Sequence, residues 1–164
     1  MKILIITTGG TIEGLDYDTE QSKPQFVNTK IKEFIESANV SFDFVVDDAF
    51  NKDSRFITSE DRNVLLQKIE SSDVKEVLIT HGTITMVETA RFLGELNIDK
   101  TIVLVGSFIS GNANNTDAPF NLGYAICALQ TLGKGVYIAI NGKIFTWNNV
   151  IKNTKDNRFE YLEN

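Results

Sequence analysis

The chain has a single cysteine, no excess of basic residues and no long apolar run, and each shortage removes a class of function. Cys127 cannot close an internal disulfide, so within its apolar helical pattern it reads as a buried packing residue and the chain as suited to a reducing compartment. Sixteen Lys and Arg against twenty-two Asp and Glu leave a formal charge of −6. With no basic stripe to release counterions from phosphates, nucleic acid is not an expected partner. After Lys2 only Ile3 to Ile6 precede threonines, too little for a secretion-signal core or a membrane span. The expected location is the cytoplasm, without membrane association. Repeats and low-complexity tracts are missing too, so the 164 residues read as one domain. That length buries roughly 70% of the unfolded surface without a staple.

What is present is alternation. Ile3-Leu4-Ile5-Ile6 is a short continuous apolar run, the pattern of a strand buried on both faces. Residues 42–46, 77–79, 102–105 and 136–140 repeat it. Between them lie helical periods. Asn28 is placed to cap a helix burying Ile31, Phe34, Ile35 and Ala38. Thr58 with Asp61 has the form of a capping box for a helix burying Leu65, Leu66 and Ile69. Two further helices turn Met86, Ala90 and Leu93, then Leu122, Ala125, Ile126 and Leu129, inward. Strands alternating with helices imply parallel pairing through right-handed crossovers. The expected fold class is α/β: a doubly wound, mostly parallel sheet with helices on both faces, a three-layer Rossmann- or flavodoxin-like arrangement. Asn141-Gly142 reads as a two-residue turn into an antiparallel strand over 143–147. The aperiodic polar stretch 14–25 reads as a mobile loop over a crevice.

Ligands of such sheets sit at the carboxyl ends of the strands, and two segments there stand out. Thr7-Thr8-Gly9-Gly10-Thr11-Ile12 closes the first run, and Thr80-His81-Gly82-Thr83-Ile84-Thr85 closes a later one and opens a helix. Glycines let backbone approach a ligand closely, and a helix start aims N–H groups at an anion or a polarised carbonyl oxygen. Taken alone, Gly9-Gly10 is equally a plain tight turn. It is no dinucleotide fingerprint, since the further glycines of that spacing are absent, and the chain lacks a phosphate-loop lysine motif. A flavodoxin-like phosphate-binding module therefore rests on fold analogy only.

Together the segments resemble the two signatures of the bacterial-type L-asparaginase/glutaminase family: Thr8-Gly9-Gly10-Thr11-Ile12, and Ile79-Thr80-His81-Gly82-Thr83 with Met86, Glu88, Thr89 and Ala90. Asp53-Ser54 with Ile57-Thr58 and Glu60-Asp61 is similar to the family's substrate-binding turn and following helix. Asp117-Ala118-Pro119-Phe120-Asn121-Leu122 and Val150-Ile151-Lys152-Asn153-Thr154 follow in the family's order. The resemblance implies side-chain amide hydrolysis by acyl transfer, without a metal or other cofactor. It implies Thr11 as first nucleophile assisted by Tyr17, and Thr83 as a second hydroxyl activated by Lys152. Gly10, Ser54, Arg55, Gly82 and Ile84 would then contact a small amide or amino-acid-like ligand. Thr11 and Thr83 capping their turns, and Lys152 as a solvated lysine in a polar tail, are the plainer alternatives.

The pattern is broken at one sub-site. Where the family has an aspartate for the substrate's α-ammonium, this chain has Ile84, and Arg55 stands where a glutamine or serine is common. The family's second, dimerising domain is also expected to be missing beyond Asn164, although a homodimer remains plausible. Free asparagine is thus an expected poor substrate, and a ligand without an α-amino group, or with negative charge there, a better one. Loss of the neighbouring carboxylate and desolvation should lower the Lys152 pKa. The same changes also fit an inactive descendant that binds a small molecule or a partner protein.

Overall fold

The computed structural model describes residues 1–15 and 29–162. Strand β1 (Lys2–Thr7) is apolar throughout because it is covered twice: Leu4 and Ile6 enter one core, Ile3 and Ile5 the other. Each such burial is worth about 1.5–3 kcal/mol. The remaining strands of the sheet are β2 (Asp43–Asp48), β3 (Glu76–Thr80), β4 (Thr101–Val105), β5 (Gly135–Ile140) and β6 (Lys143–Thr146). They lie in the order β2-β1-β3-β4-β5-β6, parallel except for β6 against β5. Asn141 (φ 48°) and Gly142 (φ 75°) make the tight turn between β5 and β6 in left-handed backbone, as the dipeptide requires.

Helices α1 (Thr29–Ser37) and α4 (Ala118–Thr131) cover one face, and α2 (Ser59–Ser71) and α3 (Met86–Glu95) cover the other. The doubly wound reading is thus observed. Thr58 caps α2 through the reciprocal bonds with Asp61 that the sequence suggests. Three details differ. Ala38 is exposed because Asn39 (φ 48°) turns the chain out just past α1, while Asn28 lies outside the described residues. The second strand starts and ends later than 42–46. Cys127 is exposed, not buried: Ala125, Ile126, Ala128 and Leu129 occupy the inner side of α4 and leave it outside.

A second sheet was not legible beforehand. Strands β7 (Ile151–Asn153) and β8 (Arg158–Glu160) form an antiparallel hairpin after β6, with Lys152 opposite Phe159. Phe159 is buried and packs at an angle on Phe108 and Phe145, and the Tyr161 hydroxyl donates to the Ile144 carbonyl.

The sheet order reverses at β1, whose neighbours are β2 and β3. Connections leave β1 and β3 toward opposite faces, so a crevice opens at the carboxyl ends of these strands.

Candidate active site

Thr7 is paired in register with Thr80, so the turn after β1 and the turn after β3 emerge side by side. The first runs through Gly9 and Gly10 into a 3₁₀ turn, Thr11–Glu13; the second runs through His81, Gly82 and Thr83 into α3. A third, the 3₁₀ turn Ser54–Phe56, follows β2. Their backbones touch. A Cβ on Gly10 would lie 2.6 Å from the Gly82 nitrogen, and a Cβ on Gly82 would lie 2.6 Å from Ser54 Oγ. Hydroxyls lock the stack: Thr8 Oγ1 donates to the Thr80 carbonyl at 2.7 Å, and Thr85 Oγ1 to the Ser54 carbonyl at 2.6 Å. Gly10 also has φ +87°. Gly10→Ala is therefore expected to lose about 1–3 kcal/mol from backbone strain, plus whatever is needed to separate the two turns. A denaturant melt reads this, and an unchanged midpoint would contradict the backbone contact.

Buried hydroxyls gather at this junction. Thr11 is 6% exposed, Thr83 5% and Ser54 1%. Among the described residues Ser54 Oγ has no hydrogen-bond partner, an expensive state for a buried polar atom that a bound ligand would relieve.

Lys152 does not lie in a solvated tail. The β7–β8 hairpin, held by Phe159, brings Lys152 Nζ to 2.8 Å from Thr83 Oγ1 and 5.4 Å from the centre of the Phe108 ring. The loop carrying Phe108 is fixed by Asp117, whose carboxylate accepts from the Phe108 and Ile109 amides, and by Asn121, which donates to the Gly106 carbonyl. Burial lowers the Lys152 pKa from the ordinary lysine value, opposed by the charge of Glu88. Among the described residues Lys152 forms no ion pair. The direction matches the sequence-based expectation.

His81 is fully buried, and its neighbours fix its tautomer. Nδ1 lies 2.8 Å from the Gly82 carbonyl, which only accepts, so Nδ1 carries the proton. Nε2, 2.9 Å from Thr89 Oγ1, then accepts from that hydroxyl, which in turn accepts from Arg62 Nε at 3.1 Å. Burial lowers the His81 pKa to about 4, with the Arg62 charge acting the same way. The imidazole is neutral near pH 7 and orients the second turn from below.

Glu13 was missed in the sequence because nothing local marks it. Its carboxylate folds back to accept from the Gly9 amide at 3.1 Å and from the Thr80 hydroxyl, bridging the two signature turns. Burial raises its pKa to about 7, against those hydrogen bonds and with help from the charge of Asp48. Asp48 itself accepts from the Thr7 hydroxyl.

Arg55 does not offer an uncommitted charge. Its Nε and Nη2 both donate to Asp53 Oδ2, at 2.9 and 2.6 Å, and its guanidinium lies 5.7 Å from the Phe56 ring centre. Ile84 is 42% exposed at the start of the turn into α3. Tyr17 and most of the 14–25 stretch lie outside the described residues. Among the described residues no cluster of His, Cys, Asp and Glu could hold a metal ion, and no helix is long and apolar enough to cross a membrane.

Comparison with known proteins is consistent with this arrangement. Residues 2–161 match the family described as Asparaginase, N-terminal. L-asparaginase 2 of Bacillus subtilis is 33% identical over 156 residues, which span 87% of this chain and 41% of that protein. The glutaminase-asparaginase of Acinetobacter glutaminasificans is 34% identical over 165 residues, spanning 92% and 49%. Among solved structures, the thermostable L-asparaginase from Thermococcus kodakarensis superposes with a TM-score of 0.86 at 27% identity, over 99% of this chain and 51% of its own. A probable cytoplasmic L-asparaginase from Campylobacter jejuni does so with a TM-score of 0.75 at 34% identity, over 92% and 49%. The chain thus spans about half the length of the relatives it matches. It belongs to the asparaginase family and corresponds to that family's N-terminal domain.

Proposed function

We propose that this domain is an asparaginase-like amidohydrolase that works by acyl transfer to the Thr11 hydroxyl and then to water, with Thr83 and Lys152 moving the proton. The observation that carries the reading is the 2.8 Å approach of Lys152 Nζ to Thr83 Oγ1, at a lysine whose charged form is disfavoured by burial. A neutral amine in that position accepts a proton from the hydroxyl, the arrangement general-base activation requires.

In the proposed sequence the Thr11 hydroxyl attacks the amide carbon, the C–N bond breaks, and ammonia leaves with the hydroxyl proton. An ester to Thr11 remains. The Lys152 amine then draws a proton through Thr83 from a water molecule, the resulting hydroxide attacks the ester, and the acid departs as the proton returns to Thr11. Backbone N–H groups of the two glycine turns are suited to the oxyanion because the Gly10–Gly82 contact leaves no Cβ between them. Ser54, with its unsatisfied buried hydroxyl, is suited to holding the far end of the ligand.

The test is ammonia release from a panel of small carboxamides by the purified protein, run beside Thr11→Ala. Release by the parent protein and none above buffer by the variant supports the reading. Equal release from both on every amide would discard it.

A further inference from the structure

We propose that Glu13 is a positioning residue for Thr11: its side chain clasps the Thr11 turn to the root of the turn that carries Thr83, and so sets the two threonines toward one ligand. The effect on rate rests on the acyl-transfer reading; the effect on the turn rests on the hydrogen bonds alone.

The turn after β1 begins with two glycines in left-handed backbone, Gly9 at φ +93° and Gly10 at φ +87°. Glycine visits that region about as readily as any other, so these residues by themselves do not hold Thr11 in one place. Glu13 removes the freedom. One of its carboxyl oxygens accepts from the Gly9 amide at 3.1 Å, which closes a loop around Gly10, Thr11 and Ile12, and the same oxygen accepts from the Thr80 hydroxyl. Thr80 ends β3 and leads through His81 and Gly82 to Thr83. A single oxygen therefore spans the two turns. The Thr8 hydroxyl, bonded to the Thr80 carbonyl, joins them ahead of the glycines; Glu13 joins them from beyond Thr11. On the other side the Gly111 amide donates to the Thr11 carbonyl at 2.9 Å, and Asn112 Nδ2 donates to the Gly14 carbonyl at 3.3 Å. With the clasp closed, Thr11 is held from both sides.

Reach, not charge, is what this place asks of the side chain. Burial raises the Glu13 pKa to about 7, with the charge of Asp48 acting the same way, so neither ionisation state dominates near neutral pH. A terminal oxygen accepts both bonds in either state. Glutamine has the same reach and an oxygen to accept with. Aspartate keeps the acid but is a methylene shorter.

Amide hydrogen exchange and ammonia release, both on the full chain, test the clasp. The Gly111 amide reports whether the Thr11 carbonyl stays in place; the Gly135 amide, bonded to the Lys100 carbonyl at the start of β5 and thus at the opposite end of the sheet, reports general stability. Glu13→Ala and Glu13→Asp are expected to speed exchange at Gly111 relative to Gly135 by roughly tenfold or more, through local opening of the turn, and Glu13→Gln to leave that ratio near the parent value. With acetamide, butyramide and asparagine as substrates, the fastest being used for comparison, Glu13→Ala and Glu13→Asp should lower kcat about a hundredfold, the effect of a displacement of about 1 Å. KM should change less than about threefold, because Ser54, Thr83 and Lys152 are untouched, and Glu13→Gln should keep at least about a third of the parent kcat. Thr80→Val, which cuts the same bond from the other turn, should lower kcat roughly tenfold. Should Glu13→Ala not fold, Glu13→Asp carries the same comparison. If exchange follows this order while none of the three amides releases ammonia, the clasp stands and the hydrolase reading falls. The clasp is overturned if the Gly111 to Gly135 ratio does not move, if Glu13→Asp retains activity and Glu13→Gln loses it, or if an amide is turned over and either Glu13→Ala or Thr80→Val leaves kcat at the parent value.

Discussion

Lys152→Met is expected to lower turnover of whichever amide the domain accepts by roughly a thousandfold, within the range for losing a positioned general base. Methionine keeps most of the apolar stem against Phe108, so the hairpin should remain folded while the amine is lost. Lys152→Arg should fail equally, because a guanidinium does not deprotonate. The pH profile separates this role from a structural one. For the parent protein the rate rises as pH passes through the Lys152 pKa, since only the neutral amine takes a proton. Burial places that limb below the ordinary lysine range. Both variants should lose the limb. A stalled ester on Thr11, seen as added mass, is the further sign that water activation has been removed. If Lys152→Met keeps more than a tenth of the parent rate, the lysine is not the base.

The parts of this architecture that were legible in advance share a local cause. Continuous apolar runs such as Ile3 to Ile6 announce two-sided burial, and Asn141-Gly142 announces its turn, because each depends on neighbouring residues only. The glycine turns were legible as a candidate site only through the family resemblance, since taken alone they read equally as plain turns, and the contact between Gly10 and Gly82 is what the structure adds. The rest depends on distant residues. The β7–β8 hairpin has three-residue strands in which Phe159 alone is buried apolar, too short a stretch for a period of two to register. Its surroundings are charged, so apart from the family resemblance the residues leave Lys152 readable as part of a solvated tail, and only the aromatic contacts of Phe159 and the approach to Thr83 rule that alternative out. Glu13 and Asp48 meet only after β1, β2 and β3 pair. Arg55 shows the opposite failure. Its partner is two residues away, yet a sequence displays both charges without displaying that they neutralise one another.

Glu13→Gln is expected to remove a loss of stability that the parent protein suffers as pH rises from about 4.5 to 7. The carboxyl titrates near its ordinary value of 4.5 in the unfolded chain and at about 7 when folded. Below the unfolded value both states hold the proton, and the group's contribution is at its most favourable. As pH rises from there toward 7 the unfolded chain ionises first, so stability falls, and above 7 it levels off at the lower value. At about 1.4 kcal/mol per unit the shift from 4.5 to about 7 sets an upper bound of about 3.5 kcal/mol on the loss, reduced by the partial exposure of the side chain. Glutamine still accepts from Gly9 and Thr80 but never ionises, so the variant should exceed the parent protein in stability at pH 8 and match it near pH 4. His81 acts with the opposite sign. Its folded pKa is depressed from 6.5 to about 4, so its contribution is complete above 6.5 and lost as pH falls toward 4. Between about pH 4.5 and 6.5 the two groups on adjoining turns therefore largely offset each other in the parent protein, while Glu13→Gln should expose the His81 fall on the acid side. Denaturant melts at pH 4, 6 and 8 decide it. Parallel curves for the two proteins would mean that Glu13 is ionised at the same pH whether the chain is folded or not.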